Sequence, residues 1–247
     1  MRYLILSDVH ANIEALESVL AAAPDGSWDR AVVLGDLVGY GAAPNAVIDR
    51  IRGLDPVAAI RGNHDKVACG IDNGMSFNLV ARTAAGWTMD ALTPDNLAYL
   101  KALPAGPVSI DDVVAICHGA PFDEDHYIFD DEDARRALDA AERPVCLFGH
   151  THLPALFEET PGMLCGVAPD RTRDSEVVFE AGARYLINPG SVGQPRDGDP
   201  RAAFAIYDAE RRALLLRRVT YPVQEAQRRI LSAGLPPSLA ARLALGR

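Results

Sequence analysis

The apolar run 145–148 ends in Gly149-His150-Thr151-His152, which places two imidazoles two residues apart. A buried strand has no use for such a pair, and a turn is served by Asn, Asp or Pro. Side chains alternate along an extended segment, so both rings would aim to one side and could grip something together. Four more groups of possible metal ligands stand elsewhere: Ser7-Asp8-Val9-His10, Gly35-Asp36, Arg61-Gly62-Asn63-His64-Asp65 and His118-Gly119. Five of the six histidines fall within these groups. Each group alone has an ordinary explanation: a lone Asp after a strand caps a helix or forms a turn, and Gly62-Asn63 suits a turn because both tolerate positive φ. Their joint occurrence does not.

Each group follows a short apolar run. Residues 3–6, 31–34, 57–60, 113–117 and 145–148 read as buried strands. Ligands in open α/β sheets gather beyond the carboxyl ends of the strands, so all five groups are expected along one edge of one sheet. Helices separate these strands. Ile13, Leu16, Val19 and Leu20 form an apolar face with Asn12 as N-cap, and Pro44 opens a helix over 44–51. A helical stretch over 76–103 breaks and restarts at Thr93-Pro94. A helix near 131–142 carries Asp131, Glu132 and Asp133 at its start and Arg143 at its end, which suits the helix dipole.

After residue 150 short strands follow one another, at 155–159, 176–180, 185–188, 202–208 and 213–221, and 222–245 reads as two short helices broken at Pro236-Pro237. A βα-rich first half and a β-rich second half predict an α/β protein with two facing mixed β-sheets flanked by helices. We expect one domain over 1–247, with 222–247 a C-terminal helical tail.

Composition sets the surroundings. The 247 residues suffice for a sizeable core, and the 49% hydrophobic and 23% charged content is that of a soluble globular chain. The net charge of −10 argues against nonspecific nucleic-acid binding, which needs Lys and Arg to neutralise phosphates. It leaves room for a phosphorylated substrate at a locally positive site. The basic residues are 22 Arg and 2 Lys, so a single arginine carries modest weight. No apolar run is long enough for a membrane span, and the N-terminal stretch lacks a signal-peptide cleavage pattern. Cys69, Cys117, Cys146 and Cys165 show no paired spacing, and a reduced, cytoplasmic protein is expected.

In order and interval, SDVH, GDLVGYG, GNHD, CHG and GHTH resemble the five sequence blocks of the calcineurin-like metallophosphoesterases, spanning residues 7–152. The segment INPGSVGQPRDGDPRAAFAIYD (187–208) further resembles the small bacterial and archaeal phosphodiesterase branch. The resemblance implies a four-layer αββα sandwich. It also implies that Asp8, His10, Asp36 and His152 hold one metal ion and Asp36, Asn63, His118 and His150 a second, with the Asp36 carboxylate bridging. Two carboxylates, four imidazoles and one amide, without thiolate, suit Mn, Fe, Co, Ni or Zn. The implied reaction is in-line attack on phosphorus by a metal-bridging hydroxide.

By the same resemblance His64 lies beside the substrate, as general acid or as a hydrogen-bond donor to the transition state. Asp65 orients His64 or caps the following helix. Asn63 and Arg196 join His64 as substrate-binding candidates, Arg196 being equally readable as a surface residue. His126, in an acidic loop, reads as solvent-exposed. The implied partner is a phosphate-ester small molecule or nucleotide, with a homodimer possible and neither stable nucleic-acid binding nor a membrane expected. The alternative is a catalytically weak scaffold on the same fold, although such proteins show erosion of the block that here retains His64.

Overall fold

The computed structural model describes residues 1–170 and 172–247. One six-stranded sheet is centred on β1 (Arg2–Leu6). It pairs parallel with β2 (Arg30–Val33), which pairs parallel with β3 (Ala58–Ala59). On its other side β1 pairs antiparallel with β11 (Ala202–Asp208), followed by β12 (Ala213–Val219) and β9 (Ser175–Val178). The second six-stranded sheet runs β4 (Val108–Ser109), β5 (Val114–Ile116), β6 (Val145–Leu147), β10 (Arg184–Asn188), β7 (Ala155–Thr160) and β8 (Met163–Val167). Its inner strands β5, β6 and β10 are parallel, while β4, β7 and β8 join antiparallel.

Alternation decides which residue faces which layer. Ile5 of β1 and Val32 of β2 join Val114, Ile116, Val145, Leu147 and Ile187 in the core between the sheets. Their neighbours Leu4, Leu6 and Val33 face outward onto helices. Both faces are covered, which is why these strands read as unbroken apolar runs. Outside the first sheet lie α1 (Ile13–Ala22), α2 (Pro44–Gly53), α4 (Leu79–Ala91), α5 (Pro94–Ala102), α7 (Val223–Ser232) and α8 (Pro237–Leu243). Outside the second lies α6 (Asp131–Ala140), packing Ala134, Ala137 and Leu138 on Cys146, Phe148 and Leu186. The result is the expected four-layer arrangement.

Local signals read correctly at several boundaries. The Asn12 side chain accepts from Ala15 N at 3.0 Å and starts α1. The Thr93 side chain accepts from Asn96 N at the break between α4 and α5. Other expectations need correction. The five ligand groups do not line one sheet edge: β1, β2 and β3 belong to one sheet and β5 and β6 to the other. An apolar run shows where a strand ends but not which sheet recruits it. Each sheet combines strands from both halves of the chain. The two-residue strand β4, the largely exposed β8 and the short helix α3 (Asn63–Ala68) carry no periodicity and went unanticipated. Helix α6 ends at Ala140, so Arg143 lies beyond it and donates to Ser109 Oγ instead.

Candidate metal centre

The exits of β1 and β2 are bound to each other before any side chain contributes. Asp8 N donates to Gly35 O, His10 N to Asp36 O and Ala11 N to Leu37 O, at 3.1, 2.9 and 2.9 Å. The exit of β6 is fastened from the side by the last residue of β10 and the segment after it. There Asn188 Nδ2 donates to Gly149 O and to Thr151 Oγ1. Ser191 Oγ and Gly193 N both donate to Asp8 O. The Asn-Pro-Gly-Ser stretch therefore joins the two sheets' ligand loops.

That lattice holds the backbone in an unfavourable conformation. Asp8, His10, Asp36, His150 and His152 have φ of 53°, 48°, 52°, 66° and 59°. This left-handed region costs a non-glycine residue about 1–2 kcal/mol, and such strain persists where the surroundings over-determine it, often at functional sites. Five of the seven residues implied as ligands share it.

The side chains converge. One ligand atom each from Asp8, His10, Asp36 and His152 lie within 4.8 Å of one another, as do those of Asp36, His118 and His150. All are buried. Asp36 is common to both sets. Its Oδ1 accepts from His64 N at 2.9 Å, while Oδ2 stands 3.4 Å from His10 Nε2 and 3.5 Å from His118 Nε2. Asn63 Oδ1 lies 3.3 Å from His118 Nε2, which brings the amide to the second set.

The donor chemistry fits metal ions. His10 Nδ1 donates to Val38 O at 3.0 Å and His152 Nδ1 to Gln194 O at 2.7 Å. A carbonyl only accepts, so in each neutral ring Nε2 must be the bare nitrogen. Those two bare nitrogens face each other at 3.0 Å, an arrangement that suits a shared cation and repels otherwise. His150 gives Nε2–H to Asp125 O, leaving Nδ1 toward the second set. Carbonyl-oriented imidazoles of this kind are typical of metal-ligating histidines.

Burial sets the charge states. It holds His10 and His152 well below the ordinary histidine value, and takes His150 down to about 3 and His64 to about 4. The neutral imidazole is the form that binds metal. His118 differs: burial works to lower it, but Asp36 outweighs that and pushes it up to about 10. For Asp36 burial works upward, and the surrounding His118, His64 and His10 hold it well below the usual carboxylate range. Burial, joined by the charge of Asp36, raises Asp8 to about 6.

His64 and Arg196 border this cluster. The His64 ring lies 5.0 Å from that of His10 and 4.3 Å from that of Tyr40, with Phe77 against it at 4.5 Å. Its Nδ1 is buried without a partner among the described residues. Asp65 makes no bond to that ring. Its carboxylate accepts from Leu37 N, Val38 N and Gly62 N, so it caps its own short helix and pins the Gly35–Gly41 loop rather than orienting His64. Arg196 turns inward, with NH2 3.4 Å from Tyr40 Oη and its Nε buried without a partner among the described residues. His126 is half-buried outside the cluster, 2.9 Å from Asp133.

Tyr40, Phe77 and Tyr127 also shape the site, Tyr127 stacking on His150 at 3.8 Å, and sequence reasoning passed over all three. Tyr40 lies inside GDLVGYG and could have been found there; Phe77 and Tyr127 sit in loops with no periodicity to mark them. None of the cysteines enters either set. Cys117 and Cys146 meet with sulfurs 3.5 Å apart across β5 and β6, both buried thiols.

Comparison with known proteins points the same way. The calcineurin-like phosphoesterase superfamily domain is matched over residues 1–212. An uncharacterised protein of Methanocaldococcus jannaschii, MJ0912, is 32% identical over 98% of this chain and 97% of its own length. The crystal structure of a metallophosphoesterase from Sphaerobacter thermophilus superposes with a TM-score of 0.87 and 39% identity, covering 100% of this chain and 99% of that one. The hypothetical protein PH1004 of Pyrococcus horikoshii OT3 gives a TM-score of 0.80 at 20% identity over 100% and 98%, a likeness of fold.

Proposed function

The chain belongs to the calcineurin-like phosphoesterase superfamily, and from that premise we propose that it hydrolyses phosphodiesters with two divalent transition-metal ions. The observation that carries the reading is the position of Asp36, whose Oδ2 faces His10 of one ligand set and His118 of the other. Asp8, His10, Asp36 and His152 would hold one ion, and Asp36, Asn63, His118 and His150 the other. The donor types suit Mn, Fe, Co, Ni or Zn. When bound, such a pair of ions lowers the pKa of water toward neutrality and polarises phosphoryl oxygens.

The chain's own groups do the rest. Asp8 and Asp36 offset only two of the four metal charges, so the pocket favours an anionic phosphoryl group despite the net charge of −10. Arg196 faces the same space and would take phosphoryl oxygens through its fork. His64 stands over the cluster, held between Tyr40 and Phe77, and would offer its N–H to the leaving oxygen. The buried His64 Nδ1 leaves Nε2 as the atom for that role. The overall change is a diester and water giving a monoester and an alcohol.

Preference for a diester over a monoester rests on the segment 187–208 and its resemblance to the phosphodiesterase branch. Chelator-treated protein reconstituted with Mn²⁺, assayed on bis(p-nitrophenyl) phosphate and on p-nitrophenyl phosphate, tests both levels. Faster turnover of the diester is expected. Faster turnover of the monoester would overturn the diester assignment, hydrolysis undiminished without metal would overturn the metal-dependent mechanism, and absent hydrolysis of both would return the chain to the scaffold reading.

A further inference from the structure

The family match stops at residue 212, yet the chain beyond it reaches the rim of the metal centre. Helix α7 is anchored by Arg229 Nε on Glu14 Oε1 at 2.8 Å. Gln227 Nε2 donates to Ala240 O and holds α8 against α7. The chain end closes on the segment after Arg196, where Gly198 N donates to Gly246 O at 2.9 Å. Gly246 has φ of +61°, and a side chain there would meet the Asp199 backbone at 2.6–2.8 Å, so the approach is close. The clasp places Arg242 of α8 5.8 Å from the Tyr40 ring centroid, and Arg196 lies 5.7 Å from the same centroid. Tyr40 in turn touches the rings of His10 and His64.

We propose that Arg242 and Arg196, gathered on Tyr40, form one anion subsite beside the metal cluster, and that the substrate is a phosphate ester carrying a second phosphate next to the scissile one. The inference rests on the hydrolase reading above and names its substrate class. Two like charges share one ring, and neither has an aspartate or glutamate partner among the described residues. Nearby arginines do: Arg218 pairs with Asp197, Arg201 with Asp199 and Arg217 with Asp174. Arg196 meets neutral oxygens, those of Tyr40 and Gln194 at 3.4 and 3.3 Å and that of Tyr127, and its Nε is buried without a partner among the described residues. Arg242 donates its Nε to the oxygen of Arg247, the last residue of the sequence, which leaves its terminal nitrogens. Stacking on an aromatic face offsets part of the repulsion. A doubly bonded oxyanion between the two forks would satisfy the donors and neutralise the charge, which guanidinium groups do better than ammonium groups. Tyr40 spans the distance from this pair to His10 and His64, so the subsite is within reach of a phosphate adjoining the one at the metals.

The test uses the full chain loaded with Mn²⁺, free Mn²⁺ being held constant. Phosphate, pyrophosphate and phosphonoacetate are compared as inhibitors of aryl diester hydrolysis and, separately, as ligands in calorimetry. Pyrophosphate should bind at least about tenfold more tightly than phosphate, the order of one extra charge-assisted contact. Arg242→Ala should collapse that ratio and Arg242→Lys should keep part of it, because the charge survives without the fork. Arg228→Ala, on the exposed face of α7, should leave it intact. A matching gain for phosphonoacetate, lost in Arg242→Ala, would extend the subsite to carboxylates. An unchanged pyrophosphate-to-phosphate ratio in a folded Arg242→Ala or Arg242→Lys protein would overturn the subsite and leave Arg242 a structural stack on Tyr40. The calorimetric ratio stands even if no ester is hydrolysed, so failure of the hydrolase reading and failure of the subsite are separately visible.

Discussion

Gly39 and His64 share one space: Gly39 lies at φ +89°, and a methyl group on it would stand 2.6 Å from His64 Nδ1. The glycine of GDLVGYG thus serves the histidine of GNHD, two groups 25 positions apart in the chain. Gly39→Ala would suffer the positive φ and the clash together. Strain at such a site exceeds about 1 kcal/mol. Urea denaturation should show that loss, and turnover should fall while bound metal is retained, because the displaced ring is not a ligand. Wild-type stability and turnover in this variant would refute the coupling.

Metal content should follow the two ligand sets. Substituting His152→Ala removes a ligand atom of the first set only and should cost one ion of the pair. In Asp36→Ala both sets lose their common member, so both ions should weaken. Elemental analysis after dialysis against a weak chelator separates the two outcomes. Equal loss in both variants would mean that the sets are not separate sites.

His64→Ala should keep its metal and lose rate. A positioned acid or donor is worth about 10²–10⁴-fold, and the loss belongs in kcat. It should be largest for poor alkoxide leaving groups and smallest for nitrophenolate, which departs with little help. Metal loss matching that of Asp36→Ala would show that His64 is a ligand after all.

Glu124 fastens the loop after β5 to the start of α3. It accepts from Arg61 Nε and NH2 at 3.1 and 3.0 Å and from Lys66 Nζ at 3.1 Å. Burial works to raise its pKa, but Arg61 and Lys66 outweigh it and hold Glu124 below the ordinary 4.5. A depressed carboxylate stabilises the fold above its unfolded pKa and loses that contribution as pH falls through the folded value. Glu124→Gln should therefore cost about 1 kcal/mol at pH 7, a figure discounted for partial exposure. The difference from wild type should shrink as pH falls below about 4.5. A difference independent of pH would remove the ion pairs from the account.

The sequence by itself determined the local chemistry. Apolar runs marked the principal strands, Asn12 and Thr93 marked helix starts, and the five groups of His, Asp and Asn were legible because strand ends are where a backbone can present ligands. Only the tertiary structure decided which sheet each strand joined. A run such as 113–117 looks the same whichever neighbour it pairs with, and the pairing energy comes from partners far along the chain. The same holds for the roles of single residues. Asp65 could orient a ring or cap a helix, and three backbone N–H groups brought within reach by folding settled it as a cap and loop pin. Arg196 could face solvent or substrate, and Arg242 drew no attention at all. Arg242 reaches Tyr40 because the last helices fold back across the first sheet, and Arg196 reaches it from the segment after β10, 156 residues along the chain; no periodicity encodes either contact.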